Sequence, residues 1–162
     1  MTAPVLDDAA AFADLLAPGR ALLGFDFGTK TIGVAVSDTL RHVASPLETV
    51  RRTRFGVDAA RLLAIADGRR VGGFVLGLPR NMDGSEGPRA QSTRAFARNL
   101  AGLTELPIAL WDERLSTVAA ERALLEADAS RRRRAEVIDQ VAAGYILQGF
   151  LDRLGHLERS RG

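Results

Sequence analysis

One continuous stretch, from Ala21 to Asp38, constrains the fold of this chain more than any other. It reads ALLGFDFGTKTIGVAVSD: an apolar run that ends on an acid, a short turn, and a second apolar run. The second run alternates large and small side chains with a period of two, which is typical of a β-strand. The stretch therefore predicts a β-hairpin with Asp26 at its mouth.

Asp26 is the unusual residue of this hairpin. Its apolar neighbours suit a strand that is buried on both faces, where an uncompensated carboxylate would cost several kcal/mol. Gly24 and Gly28 flank it, and glycine allows another backbone or a ligand to approach closely. We therefore expect Asp26 to be paired or to hold a cation, the alternative being an incidental acid at a turn.

Composition narrows the classes of protein to consider. A length of 162 residues suits one domain. No window approaches the roughly 18 apolar residues of a membrane span. Without cysteine there is no disulfide, thiolate nucleophile or cysteine-based zinc site. The N-terminus, MTAPVLDDAAAF, is acidic where a signal peptide would be basic. We expect a cytoplasmic protein without a membrane partner.

Arginine carries almost all of the positive charge. The chain has 21 arginines and one lysine, Lys30, and its net charge is only +2. Such a near-balanced chain does not by itself indicate nucleic acid, so local patches must. One patch is the run of Arg131, Arg132, Arg133 and Arg134, and four cations near a helix N-terminus oppose the helix dipole. This placement indicates an outside anion, the alternative being a solvated helix start.

Strand and helix patterns alternate along the chain. Residues 5–17 read as a short helix within an N-terminal extension over residues 1–19. Beyond the hairpin we predict strands over 42–50, 72–78 and 106–111, and helices over 55–70, 88–100, 116–126 and 135–154. This order predicts an α/β fold with a mixed five-stranded sheet, an antiparallel hairpin meander followed by parallel strands, flanked by helices.

Four acids lie at the edges of apolar elements. Asp26 ends the first strand, Asp112 and Glu113 end the last, and Asp139 falls at the margin of the buried face of the final helix. If the two strands are adjacent and parallel, their carboxyl ends and this helix bring three carboxylates together. Such a cluster repels itself unless protons or cations neutralise it. Carboxylates without His or Cys ligands favour Mg²⁺ or Mn²⁺ over zinc.

This set of residues suits the hydrolysis of a phosphodiester bond. One metal ion activates water and a second steadies the leaving oxygen. The polar, Gly-rich loop over residues 80–87 follows a predicted strand, at the end where open α/β sheets place their sites. A plain surface turn is the alternative for that loop. The basic residues expected to bind the phosphates are Lys30, Arg114, Arg131, Arg132, Arg133 and Arg134.

The chain resembles the YqgF/RuvX family of Holliday junction resolvase-like proteins, now usually described as pre-16S rRNA nucleases. Four segments carry the resemblance, in this order: DFGTKTIGVAVSD, GLPRNMDGSEGPRAQ, DERLST and IDQVAAGYILQGFLD. It covers roughly residues 20–153. The resemblance implies a ribonuclease H-like domain over 20–155, and a cytoplasmic bacterial nuclease that processes the 5′ end of small-subunit rRNA in the immature ribosomal subunit.

The resemblance also implies roles for individual acids. It makes Asp26, Asp112 and Asp139 the catalytic carboxylates. Either Asp112 or Glu113 is the metal ligand at the end of the last strand, and we favour Asp112.

Three other functions fit parts of the pattern. A resolvase of four-way DNA junctions would use the same acids and, because it makes two symmetric cuts, would require a dimer; the sequence leaves the oligomeric state open. An acetate/sugar kinase or actin-like ATPase shares the Asp-x-Gly-Thr loop but needs a duplicated domain that 162 residues do not supply. A non-catalytic RNA-binding module for ribosome assembly would gain nothing from acids that face phosphate.

The aromatic residues do not indicate a platform for stacking bases. One Trp, one Tyr and seven Phe lie mostly in apolar runs. We therefore expect weak sequence selectivity, slow cleavage of simple RNA, and accuracy that the assembling ribosomal particle supplies.

Overall fold

The structure, a computed structural model, describes residues 2–115 and 131–161, with side chains described for 2–115 and 138–160. A mixed sheet separates two layers of helices. Its strands are β1 (Val5–Leu6), β2 (Ala21–Phe27), β3 (Thr31–Ser37), β4 (Ala44–Arg51), β5 (Val71–Leu78) and β6 (Ile108–Asp112), in the order β1-β6-β5-β2-β3-β4. The first four strands in this order are parallel, and β3 and β4 complete an antiparallel meander from β2.

The hairpin prediction is confirmed. Asp26 of β2 pairs with Gly33 of β3, and the Gly28 N–H donates to the Thr31 carbonyl oxygen at 2.9 Å to close the turn. In β2 the larger side chains alternate between the two faces of the sheet. Leu23 and Phe25 therefore point away from the face that Asp26 shares with Leu22.

The helices are α1 (Ala9–Ala13), α2 (Phe55–Gly68), α3 (Pro88–Ala101) and α4 (Arg131–Arg161). Within the described residues, none of them is long and apolar enough to cross a membrane. α1 and α4 cover one face of the sheet, and α2 and α3 cover the other. α4 lies directly on β2 because Gly24 has no side chain: a Cβ there would lie 2.7 Å from the Leu147 Cβ.

The N-terminal segment differs from its prediction as one helix. Val5 and Leu6 form a strand that pairs with β6, so the sheet has six strands instead of five. α1 begins only at Ala9, after Asp8 accepts a hydrogen bond from the Ala10 N–H at 3.0 Å and caps it. Phe12 of α1 is fully buried and packs edge-on against Phe150 of α4. This segment therefore contributes to both the sheet and its α4 face.

Two further expectations change. The condition that the strands carrying Asp26 and Asp112 be parallel and adjacent is met only in part: β2 and β6 are parallel, but β5 lies between them and pairs with both. α4 begins at Arg131, four residues before the predicted start, and ends at Arg161 instead of near residue 154. The predicted helix over 116–126 lies outside the described residues.

Candidate active site

Asp26 lies at the carboxyl end of β2 in a recess between two glycines. Gly33 of β3 is its partner on one side. On the other side, β5 pairs Leu76 with Phe25, and the next residue in this parallel register is Gly77. The Asp26 side chain is only 5% exposed. The absence of neighbouring side chains makes room for other groups to approach this carboxylate.

Asp139 of α4 lies over Gly33, the cross-strand partner of Asp26. A Cβ on Gly33 would collide with the Asp139 carbonyl oxygen, so the helix backbone lies directly on β3 at this point. The Thr31 hydroxyl donates to the Asp139 carboxylate. The Asp139 side chain therefore points at the sheet.

Glu113 lies over the other glycine. A Cβ on Gly77 would be 2.5 Å from Glu113 Oε1 and 3.1 Å from its Cγ, and 2.5 Å from Ile146 Cδ1 of α4. The Glu113 side chain thus crosses Gly77 on the α4 face of the sheet. Asp26, Glu113 and Asp139 therefore share that face.

Asp112 has a different environment. Side chains alternate along β6, so Asp112 points away from the face of Trp111 and towards the face of Leu110. Leu110 packs in the core on the α2 and α3 side. Its carboxylate accepts hydrogen bonds from Arg114 Nε at 3.1 Å and Nη2 at 2.7 Å. These bonds hold the pKa of Asp112 below its usual range, against the opposing effect of burial.

Asp112 and Arg114 also position the loop that follows β5. Arg114 Nη1 contacts the Met82 carbonyl oxygen at 3.4 Å. Asp112 is bound to Arg114, whereas Glu113 crosses Gly77 on the α4 face. The geometry therefore favours Glu113 over Asp112 as the carboxylate that joins Asp26 and Asp139 in the candidate site. It also leaves Arg114, a predicted phosphate ligand, engaged by a protein carboxylate.

The three carboxylates share a face without forming a finished metal cage. Among the described side chains, no three His, Asp or Glu residues gather around one point. The donors on this face are carboxylate oxygens with the Thr31 hydroxyl nearby, and such hard oxygen donors fit Mg²⁺ or Mn²⁺ in chemistry. A cation would oppose the mutual repulsion that keeps like charges apart.

Lys30, a predicted phosphate ligand, is exposed in the β2–β3 turn. Its carbonyl oxygen accepts a hydrogen bond from the Arg52 N–H at 2.9 Å. Arg52 Nη1 also donates to the carbonyl oxygens of Gly28 at 2.7 Å and Thr29 at 3.2 Å. These three bonds fix the turn and leave the lysine side chain on its outer surface.

The other predicted phosphate ligands are the four arginines from Arg131 to Arg134. They form the first turn of α4, which begins earlier than expected. Their backbone is helical, but their side chains lie outside the described residues. A role in phosphate binding therefore stays a prediction for each of Arg131, Arg132, Arg133 and Arg134.

The loop over residues 80–87 is an ordered part of this end of the sheet. The Asn81 N–H donates to the Ser85 carbonyl oxygen at 2.9 Å, and Gly84 adopts a φ of +88° that favours glycine. Arg94 of α3 binds Glu86 through Nε at 2.5 Å and Nη2 at 2.7 Å, which lowers the pKa of Glu86. The loop follows the carboxyl end of β5, as predicted.

Three residues of this region were missed from the sequence. Thr31, Gly33 and Gly77 shape the site through one hydroxyl and two absent side chains. The available signal was the position of each glycine in an otherwise apolar strand, which indicates a close approach without saying by what.

Comparison with known proteins identifies the family. The family model described as "RuvX: Holliday junction resolvase" matches residues 20–153. The chain belongs to the RuvX family. A Rhodobacter capsulatus relative named "Putative pre-16S rRNA nuclease" is 67% identical over 162 residues, which is all of both chains. A Cereibacter sphaeroides (strain KD131) relative of the same name is 75% identical over 142 residues, or 88% of this chain and 89% of the relative.

Solved structures show the fold of this RuvX-family chain. Thermus thermophilus RuvC in complex with a Holliday junction substrate matches with a TM-score of 0.54 at 15% identity, covering 84% of this chain and 96% of RuvC. The yeast mitochondrial Holliday junction resolvase Ydc2 matches with a TM-score of 0.52 at 11% identity, covering 94% and 87%. The predicted family, the ribonuclease H-like α/β fold and the nuclease class are therefore confirmed. Nucleases of this fold generally use divalent metal ions and act on nucleic acid.

Proposed function

We propose that this RuvX-family chain is a cytoplasmic, metal-dependent nuclease that hydrolyses phosphodiester bonds at the 5′ end of 16S rRNA precursors. One observation carries the proposal: Asp26, Glu113 and Asp139 share the α4 face at the carboxyl end of the sheet. The RNA target is supported by the name of relatives that are 67% and 75% identical.

Each residue of the site has a proposed task. Asp26, Glu113 and Asp139 hold Mg²⁺ or Mn²⁺, which when bound supplies an activated water and neutralises charge on the phosphate oxygens. The Thr31 hydroxyl orients the Asp139 carboxylate through its hydrogen bond. Lys30 at the exposed turn positions a phosphate group of the substrate.

The second candidate is the cleavage of four-way DNA junctions. The description of the matching family model favours it, and the fold is shared with RuvC. The same three carboxylates would perform the hydrolysis. Because a junction needs two symmetric cuts, this activity would require a dimer.

Substrate accuracy is proposed to come from outside the chain. Lysine and arginine contacts to phosphates position a nucleic acid without reading its sequence. We therefore expect slow, metal-dependent cleavage of naked RNA at several points. On the immature small subunit, the particle presents one segment of the precursor and cleavage becomes accurate.

The test compares three end-labelled substrates under one Mg²⁺ condition: naked precursor rRNA, the same RNA within immature small subunits, and a four-way DNA junction. Asp26→Asn is the inactive control, and Asp67→Asn, an exposed acid on α2, is the matched control expected to retain activity. We expect accurate 5′-end formation only on the particle. Symmetric cutting of the junction with RNA untouched would favour the resolvase, and binding of RNA without any cleavage would favour a non-catalytic assembly module.

A further inference from the structure

A second concave site lies on the other face of the sheet, at the same end of β2. It is a pocket of about 270 Å³. Three phenylalanines supply its apolar wall, and polar side chains from the β4–α2 connection and from α3 form its rim: Arg52, Thr53, Arg54, Ser92 and Asn99. None of these residues belongs to the carboxylate site described above.

The aromatic wall is assembled from three elements. Phe27 ends β2, Phe55 begins α2, and Phe96 belongs to α3. The Phe27 and Phe96 rings stack with centroids 4.4 Å apart, and the Phe55 ring meets Phe96 edge-on at 5.8 Å. Phe96 is buried, whereas Phe27 and Phe55 are each partly exposed. The Phe27 ring is covered by Phe96 on one face and by the Arg52 guanidinium on the other, so Phe55 is the partly exposed ring that remains for a nucleobase to stack on.

Two arginines stand at the rim of this wall. The Arg52 guanidinium lies 4.2 Å from the Phe27 ring centroid, and its Nη1 is tied to the Gly28 and Thr29 carbonyl oxygens. Arg54 is exposed at the N-cap position of α2. Both guanidinium groups therefore have N–H donors available to an anion at the pocket mouth.

A buried acid fixes the backbone between the two arginines. Asp58, 5% exposed, accepts hydrogen bonds at 3.1 Å from both the N–H and the hydroxyl of Thr53. These hydrogen bonds tie the β4–α2 connection to the first turn of α2. The lining contains two arginines and one aspartate, so basic residues outnumber acidic ones there.

We propose that this pocket binds one nucleotide of a single-stranded RNA, with its base against the phenylalanine wall and its phosphate on Arg52 and Arg54. A free anion would make no use of the aromatic wall, and an aliphatic ligand would make no use of the arginines. Ser92 and Asn99 supply hydrogen-bonding groups for the edge of a base.

The position of the pocket relates it to the carboxylates. Phe27 directly follows Asp26 in β2, and the two side chains point to opposite faces. The Arg52 N–H binds the Lys30 carbonyl oxygen, so the pocket rim adjoins the β2–β3 turn. An RNA strand held in the pocket would cross this turn to reach the carboxylate face. The proposal rests on the proposed function in taking RNA as the substrate.

Binding is measured first, without cleavage, by the fluorescence anisotropy of a labelled single-stranded RNA in EDTA. Phe55→Ala should weaken binding by about tenfold, because it removes the ring on which one base stacks. Arg54→Ala should weaken binding and lower the log–log salt slope by about 0.7. Two matched controls, Val57→Ala on α2, 48% exposed, and Arg69→Ala at the C-cap of α2, should bind like the wild type.

A second variant guards against a folding defect. Phe55 also packs partly against the core, so Phe55→Leu keeps apolar volume while it removes the aromatic face. With an unchanged melting temperature, Phe55→Leu should still bind several-fold more weakly. Wild-type affinity in Phe55→Leu and Arg54→Ala would overturn the proposal. A photo-cross-link from a 5-iodouridine RNA should map to Phe27 or Phe55, and a cross-link confined to other peptides would also overturn it.

Steady-state cleavage separates this proposal from the nuclease proposal. The pocket variants should raise KM for RNA and leave kcat unchanged, whereas Asp26→Asn should abolish kcat and leave RNA binding in EDTA intact. If the wild type cleaves RNA and the pocket variants match it in binding and KM, the pocket proposal fails and the nuclease proposal stands. If the wild type cleaves no RNA but Phe55→Leu weakens binding, the nuclease proposal fails and the pocket proposal stands.

Discussion

Gly33 of β3 and Asp139 of α4 lie backbone against backbone. The Asp139 carbonyl oxygen occupies the space that a Cβ on Gly33 would need. Gly33 is also the cross-strand partner of Asp26. One missing side chain thus brings a helix close enough for its acid to share a face with the acid of the central strand.

Replacing Gly33 with alanine should therefore separate the two acids. The added methyl group collides with backbone, which cannot rotate away, so we expect a loss of about 3 kcal/mol, at the upper end for overpacking. For a chain of this length that lowers Tm by about 6–12 °C. Thermal unfolding measures the change.

Gly68→Ala is the matched control for that substitution. Gly68 ends α2, and nothing lies within 4 Å of the position that a Cβ would take there. Alanine at this position should raise stability by about 0.5–1 kcal/mol because it restricts the unfolded chain and suits a helix. Equal effects of the two substitutions would contradict the close packing of α4 on Gly33.

The two acids at the end of β6 should differ in function. Glu113→Gln should abolish Mg²⁺-dependent cleavage and weaken Mn²⁺ binding, because its side chain lies over Gly77 on the α4 face. Asp112→Asn should keep metal binding, because its carboxylate is bound to Arg114. Calorimetric titration with Mn²⁺ measures both. Loss of metal binding in Asp112→Asn with normal binding in Glu113→Gln would restore Asp112 as the ligand.

The Asp112–Arg114 ion pair predicts a pH dependence of stability. The hydrogen bonds from Arg114 lower the folded-state pKa of Asp112 below the unfolded value of about 3.9. The pair therefore contributes fully above the unfolded pKa, and its contribution is lost as pH falls through the folded pKa. A double-mutant cycle of Asp112→Asn and Arg114→Ala, followed by urea unfolding, should give a favourable coupling at pH 7. A coupling that persists undiminished at pH 2 would contradict this origin.

The arginine run at the start of α4 is expected to bind phosphate. Changing Arg131, Arg132, Arg133 and Arg134 to Ala should weaken RNA binding across sequences and flatten the salt dependence, by about 0.7–0.9 in log–log slope for each lost contact. Arg153→Ala, an exposed arginine further along α4, is the control. An unchanged slope in the quadruple variant would make the run a solvated helix start.

Sequence patterns predicted the helices and strands better than they predicted which strands pair in the sheet. Pro88 at the start of α3 and the last residue of α2, Gly68, were visible because each fixes backbone geometry locally. β1 was not visible, because Val5 and Leu6 are too few for a period of two to emerge. The insertion of β5 between β2 and β6 depends on long-range pairing that no local pattern encodes.

In the candidate site, too, local features were predicted from the sequence and long-range packing was not. The acids were found because a charged residue beside an apolar run is conspicuous. The choice between Asp112 and Glu113 depends on which face of the sheet each side chain occupies. The sequence does not show this, because β6 ends at Asp112 and a 3-10 turn begins at Glu113. The pocket wall of Phe27, Phe55 and Phe96 was missed because its rings come from three elements and each looks like a core residue in its own segment. Only the packed structure brings them together.

Hydrolysis is proposed to depend on a metal ion that Asp26 holds. The most direct test is single-turnover cleavage of labelled precursor rRNA in Mg²⁺ by the wild type, Asp26→Asn and Asp67→Asn, with Tm measured for each. Asp26→Asn keeps the shape of the side chain and removes the charge of a carboxylate that is 5% exposed, so we expect an intact fold, unchanged or slightly raised Tm without metal, and no cleavage. Asp67→Asn should cleave like the wild type. Full cleavage by a folded Asp26→Asn protein would rule out Asp26 as a ligand of the hydrolytic metal ion.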